Sequence, residues 1–215
     1  MNPTQAPDTL PELMDRIYRY ERYIFDLTRP LYLIGRDQML NQIHILPNQK
    51  VLEIGVGTAR NLLKLYKREI EAHYYGVDVS KMMLELAEKK VREKKAPIKL
   101  KLLTAPVDQY ITPLGLNEGF DHIILSFCLT MIPDPVPVLQ AALASLRPGG
   151  TLHIADYYDL AKLPPSLKKM VQKMTARYHV LYRPEVLAHL QQLPGKLSIH
   201  TVLFHVAYCA HYTNS

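Results

Sequence analysis

The stretch KVLEIGVGTARNLL, residues 50–63, constrains this chain more than any other. A short apolar run carries a single carboxylate, Glu53, and ends at Gly55 and Gly57 before helix-forming residues resume. That order is a buried strand, a tight turn and a helix, the opening of a βαβ unit. Glycines at such a turn bring backbone N–H groups toward a ligand at the helix start. Ala59 stands where a third glycine would fall. It is expected to take ordinary helical angles there, its methyl group tolerated.

The alternation continues. Strands are expected at 50–54, 73–78, 98–103, 120–127 and 150–157, with helices near 58–68, 80–93 and 136–146. Strands alternating with helices imply a mainly parallel sheet. Residues 158–192 read as helical, with Pro164-Pro165 suited to a helix start. KLSIHTVLF and VAYCAHY then read as two strands in succession, an antiparallel hairpin. The expected fold is α/β: a Rossmann-like, seven-stranded, mostly parallel sheet with a C-terminal antiparallel hairpin and an N-terminal helical cap. It forms one domain over 1–215, with a cap at 1–44, a core at 45–157, and cap helices and hairpin at 158–215.

A hydrophobic share of 48% and a charged share of 21% are those of a chain that folds around a core. The formal net charge of +6 favours anionic partners or serves solubility alone. Cys128 and Cys209 lack metal-ligand spacing and read as buried free thiols of a reducing compartment. No leader-like segment opens the sequence, and its apolar runs fall short of the roughly 20 residues that span a bilayer. The expected location is cytoplasmic, with peripheral contact at the inner face of the membrane as an extension.

A second acid, Asp78, ends the next strand about 20 residues after Gly57, the offset at which a carboxylate meets a ribose. Dinucleotide sites place a small residue where Arg60 stands, and no Lys-Ser/Thr pair follows the turn as in a triphosphate loop. The spacing Glu53-x-Gly55-x-Gly57-x-Ala59 resembles motif I, E/DxGxGxG, of the class I S-adenosylmethionine-dependent methyltransferases. LRPGG at 146–150 is also similar to that family. The resemblance covers roughly residues 45–156 and implies S-adenosylmethionine as cofactor. The contacts it implies are Glu53, Gly55, Val56, Gly57, Asp78, Val79 and Ser126. Thr104 and Ala105 stand where the family often has Asp-Ala against the adenine.

The N-terminal stretch resembles the bacterial betaine-lipid synthases, which N-methylate diacylglyceryl homoserine. The carrying residues are Phe25-Asp26-Leu27-Thr28-Arg29, Tyr32 and Gly35-Arg36-Asp37. Ser126-Phe127-Cys128-Leu129-Thr130-Met131-Ile132-Pro133, and Tyr178-His179-Val180 with Arg183, continue it. Departures from the pattern are Phe25, Val56, Ala59, Thr130, Tyr178 and Tyr182. They bear on the substrate more than on the cofactor. The implied function is N-methylation of a lipid head-group amine. Alternatives are a phosphatidylethanolamine or small soluble amine methyltransferase, a nucleic-acid-binding protein on the same scaffold, and a non-catalytic cofactor-binding protein. No nucleic-acid module is recognisable, and oligomeric state stays open.

Methyl transfer to nitrogen builds a quaternary ammonium, which aromatic faces stabilise. Tyrosines are plentiful, at 14, and tryptophan is absent, so tyrosine is the cage material. Tyr20, Tyr32, Arg36, Tyr178 and Arg183 are the candidate substrate contacts. Tyr23, Asp156 and His179 are the catalytic candidates; Asp156 and His179 stand where they can face the methyl group, with the general base open between those two and water. Leu163, Leu167, Met170, Val171, Met174 and Tyr178 follow helical spacing, with Lys168, Lys169, Lys173 and Arg177 largely off that stripe. Such a helix either packs on the domain or lies on an anionic membrane.

Overall fold

A computed structural model describes residues 35–103, 119–176 and 180–215. Seven strands form one sheet in the order β3-β2-β1-β4-β5-β7-β6. They are β1 Lys50–Ile54, β2 His73–Asp78, β3 Lys99–Leu102, β4 Phe120–Ser126, β5 Leu146–Tyr157, β6 Lys196–Val202 and β7 Ala207–Thr213. The first five pair in parallel, while β7 runs antiparallel to both β5 and β6. The expected parallel core and terminal hairpin are both present. Strand order reverses between β1 and β4, so a crevice opens beyond their carboxyl ends, where such sheets bind ligands.

Among the described residues the helices are α1 Arg36–Gln42, α2 Arg60–Tyr66, α3 Lys81–Glu93, α4 Val136–Ala144, α5 Pro165–Ala176 and α6 Pro184–Gln191. One sheet face presents Val51, Tyr74, Ile124 and Ala155 to Met39 and Leu40 of α1, Leu62 and Leu65 of α2, and Ala87 of α3. The opposite face presents Leu52, Ile123, Leu152 and Ile154 to Leu139 of α4 and to Val186 and Leu190 of α6. Side chains alternate along each strand, and in the central strands both sides are covered, so nearly continuous apolar runs such as VLEI are buried. Each buried leucine or valine contributes about 1.5–3 kcal/mol. Ser80 caps α3, its Oγ accepting from the Met83 N–H at 3.3 Å. Cys128 and Cys209 are buried free thiols.

The stretch at 158–192 is not one helical run. Pro165 begins α5 and Pro184 begins α6, with 180–183 outside both. A proline lacks the N–H that helix interiors need, so each starts a new helix. On α5, Val171 and Thr175 are part-buried, whereas Leu167 and Met170 are 44% and 53% exposed. Half of the described apolar stripe, Leu167 and Met170, therefore faces outward.

Ala59 departs from expectation. Its φ and ψ are 57° and 20°, left-handed, and it precedes α2 without a side-chain cap. An L-residue there costs about 1–2 kcal/mol. Burial of its methyl returns about 0.8 kcal/mol, and alanine's stiffer unfolded chain another 0.4–1 kcal/mol. These terms nearly cancel, which is why alanine serves. Ala59→Gly is expected to shift stability by less than about 1 kcal/mol in urea unfolding. Ala59→Val, with branching at Cβ in the left-handed region, is expected to cost about 2 kcal/mol or more.

A row of histidines crosses three strands on the α1 face. His122 Nδ1 lies 3.1 Å from His153 Nε2, and His153 Nδ1 lies 2.7 Å from His211 Nδ1. Gln49 meets His122 Nε2 at 3.0 Å and Gln42 meets His211 Nε2 at 2.6 Å. Three neutral rings supply three protons to four links, so one terminal glutamine must turn its NH2 toward the row. Burial holds all three pKa values below the ordinary histidine value. The unfolded chain therefore takes up these protons first, and stability is lost as pH falls below about 6.5. His153→Gln is expected to flatten the decline in melting temperature between pH 7 and pH 5.

Candidate active site

The glycine turn closes on β2. Gly55 N–H and Val56 N–H both donate to Val77 O, at 2.9 and 3.0 Å. Gly57 N–H donates to Asp78 Oδ2 at 2.7 Å, and Ala59 N–H donates to Val56 O at 3.0 Å. Asp78 Oδ1 accepts from Ser80 N–H at 2.9 Å, so one carboxylate ties the turn to the start of α3. The expectation that these N–H groups point at a ligand is thus corrected: they satisfy β2 and Asp78. A phosphate would find few donors here.

Gly55 and Gly57 are glycine for different reasons. Both have positive φ, 73° and 54°. A Cβ on Gly55 would come within 2.9 Å of Cys128 Cβ, whereas one on Gly57 would meet nothing within 4 Å. The space above Gly57 is open toward the crevice.

Glu53, next to the carboxyl end of β1, is 1% exposed. Its Oε1 accepts from Asn61 Nδ2 at 2.6 Å. Its Oε2 is buried without a hydrogen-bond partner among the described residues, as are Asn61 Oδ1 and Ser126 Oγ. Burial, with the neighbouring Asp78 charge, pushes the Glu53 pKa up to about 8, against the downward pull of the Asn61 bond, the Arg36 charge and the Leu62 backbone N–H. An unpartnered buried carboxyl oxygen invites a cationic donor, which would restore ionisation. These acceptors and the inward-turned N–H groups suit a cationic, phosphate-free ligand, and the residues present fit the amine tail and nucleoside of S-adenosylmethionine.

Arg36, expected at the substrate, opens α1 in a buried position close enough to depress the Glu53 pKa. It stands with the motif acid. Asn61 was not singled out from the sequence. Its signal is a polar residue in the first turn of α2 beside buried Leu62. Val79 follows Asp78 and packs against the core.

Beyond β4 the chain turns sharply. Phe127 has a φ of 53°, its N–H donates to Ala155 O at 2.7 Å, and a 3-10 turn follows at Leu129–Met131. Asp156 is fully buried beneath it. Its oxygens accept from Thr130 Oγ1 at 2.6 Å, Thr130 N–H at 3.2 Å and Tyr157 N–H at 2.8 Å. Burial pushes its pKa up to about 6 in spite of those bonds. Asp156 was expected to face the methyl group; its carboxylate instead braces the loop. Arg183 precedes α6, part-buried, with NH1 3.9 Å from Glu185 Oε1. Tyr20, Tyr23, Tyr32, Thr104, Ala105, Tyr178 and His179 lie outside the described residues.

Comparisons with known proteins agree with this geometry. A methyltransferase-domain family model matches residues 45–203. The chain is 28% identical over 161 residues to the uncharacterized methyltransferase YdaC of Bacillus subtilis, covering 74% of this chain and 85% of that one. It is 30% identical over 112 residues to phosphoethanolamine N-methyltransferase 2 of Caenorhabditis elegans, covering 52% of this chain but only 24% of that one. Among solved structures, an S-adenosylmethionine-dependent methyltransferase from Aquifex aeolicus superposes with a TM-score of 0.64 at 18% identity, covering 94% and 98% of the two chains. Phosphoethanolamine N-methyltransferase 2 of Haemonchus contortus, bound to phosphomonomethylethanolamine and S-adenosylhomocysteine, gives 0.69 at 15% identity, covering 96% of this chain and 60% of that one. With the matched region spanning most of the chain, and the glycine turn and its two acids at the sheet's switch point, the protein belongs to the class I S-adenosylmethionine-dependent methyltransferases.

Proposed function

We propose that the protein N-methylates an amine carried by a membrane lipid head group, diacylglyceryl homoserine being the first candidate. The observation that carries the cofactor half is the buried, unpartnered Oε2 of Glu53 beside Arg36. In this reading Glu53 takes the ammonium of the cofactor's amino-acid tail and Arg36 its carboxylate. Asp78 takes the ribose, and Gly57 leaves room for the nucleoside. Val56, Val79, Thr104, Ala105 and Ser126 complete the contacts. When bound, S-adenosylmethionine supplies a methyl group on a cationic sulfur, which a nitrogen lone pair takes as the carbon–sulfur electrons return to sulfur. The chain's part is to bind both molecules in line. A proton leaving the acceptor nitrogen passes to water.

The lipid half rests on the outward surface. Exposed Leu167 and Met170 of α5 lie on the same helix as Lys168, Lys169 and Lys173, and Leu203 and Phe204 are 50% and 65% exposed at the β6–β7 turn. Apolar side chains with neighbouring lysines suit the boundary of an anionic membrane. No helix among the described residues is long and apolar enough to cross a membrane. Incubation with labelled S-adenosylmethionine and a bacterial lipid extract is expected to place label in a trimethylated homoserine lipid. Label in an ethanolamine lipid would change the substrate, and label only in water-soluble amines would remove the lipid.

A further inference from the structure

A cavity of about 470 Å³ opens beside the carboxyl end of β5, between α5 and residues 180–182. Its size suits a small ligand or head group. Its walls include Tyr157, Tyr158, Asp159, Thr175, Leu181 and Tyr182. In a chain of net charge +6, the described lining contains no lysine or arginine, and Asp159 is its one charged residue.

The aromatic walls are fixed by one another. The Tyr158 and Tyr182 rings meet edge to face at 5.2 Å between centroids. Tyr158 also packs on Tyr208 at 5.6 Å and on His205 at 5.1 Å. Both rings line the cavity, and aromatic faces attract an organic cation. Asp159 is set by two bonds to a single oxygen: Oδ1 meets His205 Nδ1 at 3.1 Å and accepts from Ala161 N–H at 2.8 Å. His205 is held in place by a strained turn. Leu203, Phe204 and His205 all have positive φ, 42°, 50° and 65°, a conformation that L-residues rarely adopt in succession.

The cavity adjoins the cofactor crevice. Tyr157 packs edge-on against Phe127 at 5.1 Å, and Leu181 N–H donates to Thr130 O at 3.0 Å, so loop and cavity wall share contacts. From β1, which carries Glu53, to β5 is two strand spacings, about 10 Å, a distance that an extended nucleoside spans.

We infer that this cavity is the acceptor site and that it holds an amine head in its cationic forms, the ammonium that enters and the methylated ammonium that leaves, by Tyr158, Tyr182 and the carboxylate of Asp159, with His205 positioning that carboxylate; the nitrogen reacts as the neutral amine after its proton has passed to water. The inference rests on the methyltransferase reading above and deepens it by naming the acceptor's charge class. A fully methylated nitrogen has no N–H to donate, so rings and a carboxylate are the groups that hold it at the end of the reaction.

The test uses choline and its uncharged carbon isostere, 3,3-dimethylbutan-1-ol, titrated calorimetrically into the full chain with and without S-adenosylhomocysteine. Choline is expected to bind at least tenfold more tightly than the isostere. Tyr158→Ala and Asp159→Asn are each expected to weaken choline tenfold or more while leaving S-adenosylhomocysteine affinity within twofold. His205→Leu is expected to weaken choline, and His205→Asn, which still donates to a carboxylate, to restore it. Asp159→Asn is isosteric and tests the site even where a ring deletion unfolds the chain. Equal affinity for choline and isostere, or choline binding untouched by Asp159→Asn, overturns the inference. Loss of S-adenosylhomocysteine binding in the wild type would fault the cofactor reading instead, and the titration without nucleoside still decides this one. Vesicles of phosphatidylcholine and free choline compare a lipid head group with a soluble amine as the source of the charge; binding of either supports the class.

Discussion

Glu53→Gln is expected to weaken S-adenosylmethionine binding by about 100-fold or more while removing a pH-dependent weakness of the ligand-free fold. Both effects come from one buried oxygen. Glu53 Oε2 has no hydrogen-bond partner among the described residues, and burial raises the carboxyl pKa to about 8. In the unfolded chain the same group ionises near 4.5. Between those values the native state holds a proton that the unfolded chain has released. Stability therefore falls as pH rises through that window, by up to about 1.4 kcal/mol per pH unit. Over pH 6–8 this lowers the melting temperature by about 5 °C in a chain of this size. Glutamine keeps the acceptor for Asn61 but cannot ionise, so Glu53→Gln is expected to lose that part of the decline. It also cannot neutralise an ammonium, and loss of a buried charge-assisted bond costs about 2–5 kcal/mol of binding. Melting curves at three pH values and a calorimetric titration read the two effects separately.

Asp156→Ala is expected to lower the melting temperature by about 10 °C. Asp156 is fully buried and accepts two hydrogen bonds from Thr130 and one from the Tyr157 N–H. Its removal strands buried donors, each costing about 1–3 kcal/mol. The loop it braces carries Phe127 and Cys128, and Cys128 Cβ sits where a Gly55 side chain would intrude. Loosening that loop is expected to weaken nucleoside binding as well, although Asp156 lies beneath the site. Asp156→Asn retains the shape and one acceptor and should cost less. If Asp156→Asn leaves the melting temperature unchanged yet stops turnover, Asp156 is the general base after all.

The parallel core was legible because its signals are local. Val51, Leu52 and Ile54 around a lone Glu53, then two glycines, leave few alternatives to strand, turn and helix. The acids Glu53 and Asp78 were legible because each sits at a fixed place relative to that turn. The direction of the turn's N–H groups was not, since it depends on the carbonyl of Val77 on the neighbouring strand. Nor was the left-handed Ala59, which nothing in its own residue type signals. Asp156 read as a strand-end acid open to the site, and its burial is created by Thr130, which folds back onto it from another strand's loop. The Asp159–His205 contact joins residues 46 apart through the β6–β7 turn, a pairing no local pattern announces. The outward stripe of α5 was visible as periodicity, but which side would pack depended on where β5 and residues 180–182 lie.

The claim that Glu53 grips the amine tail of a sulfonium nucleoside is tested most directly by proton counting. S-adenosylhomocysteine is titrated into the wild type at pH 7 in buffers of different ionisation enthalpy. A carboxyl near pKa 8 that must ionise to receive an ammonium releases about one proton per ligand bound, so the measured heat should track the buffer. Glu53→Gln should abolish that dependence in whatever binding remains. Tight binding with heats independent of buffer, or no binding by the folded wild type, would contradict the account.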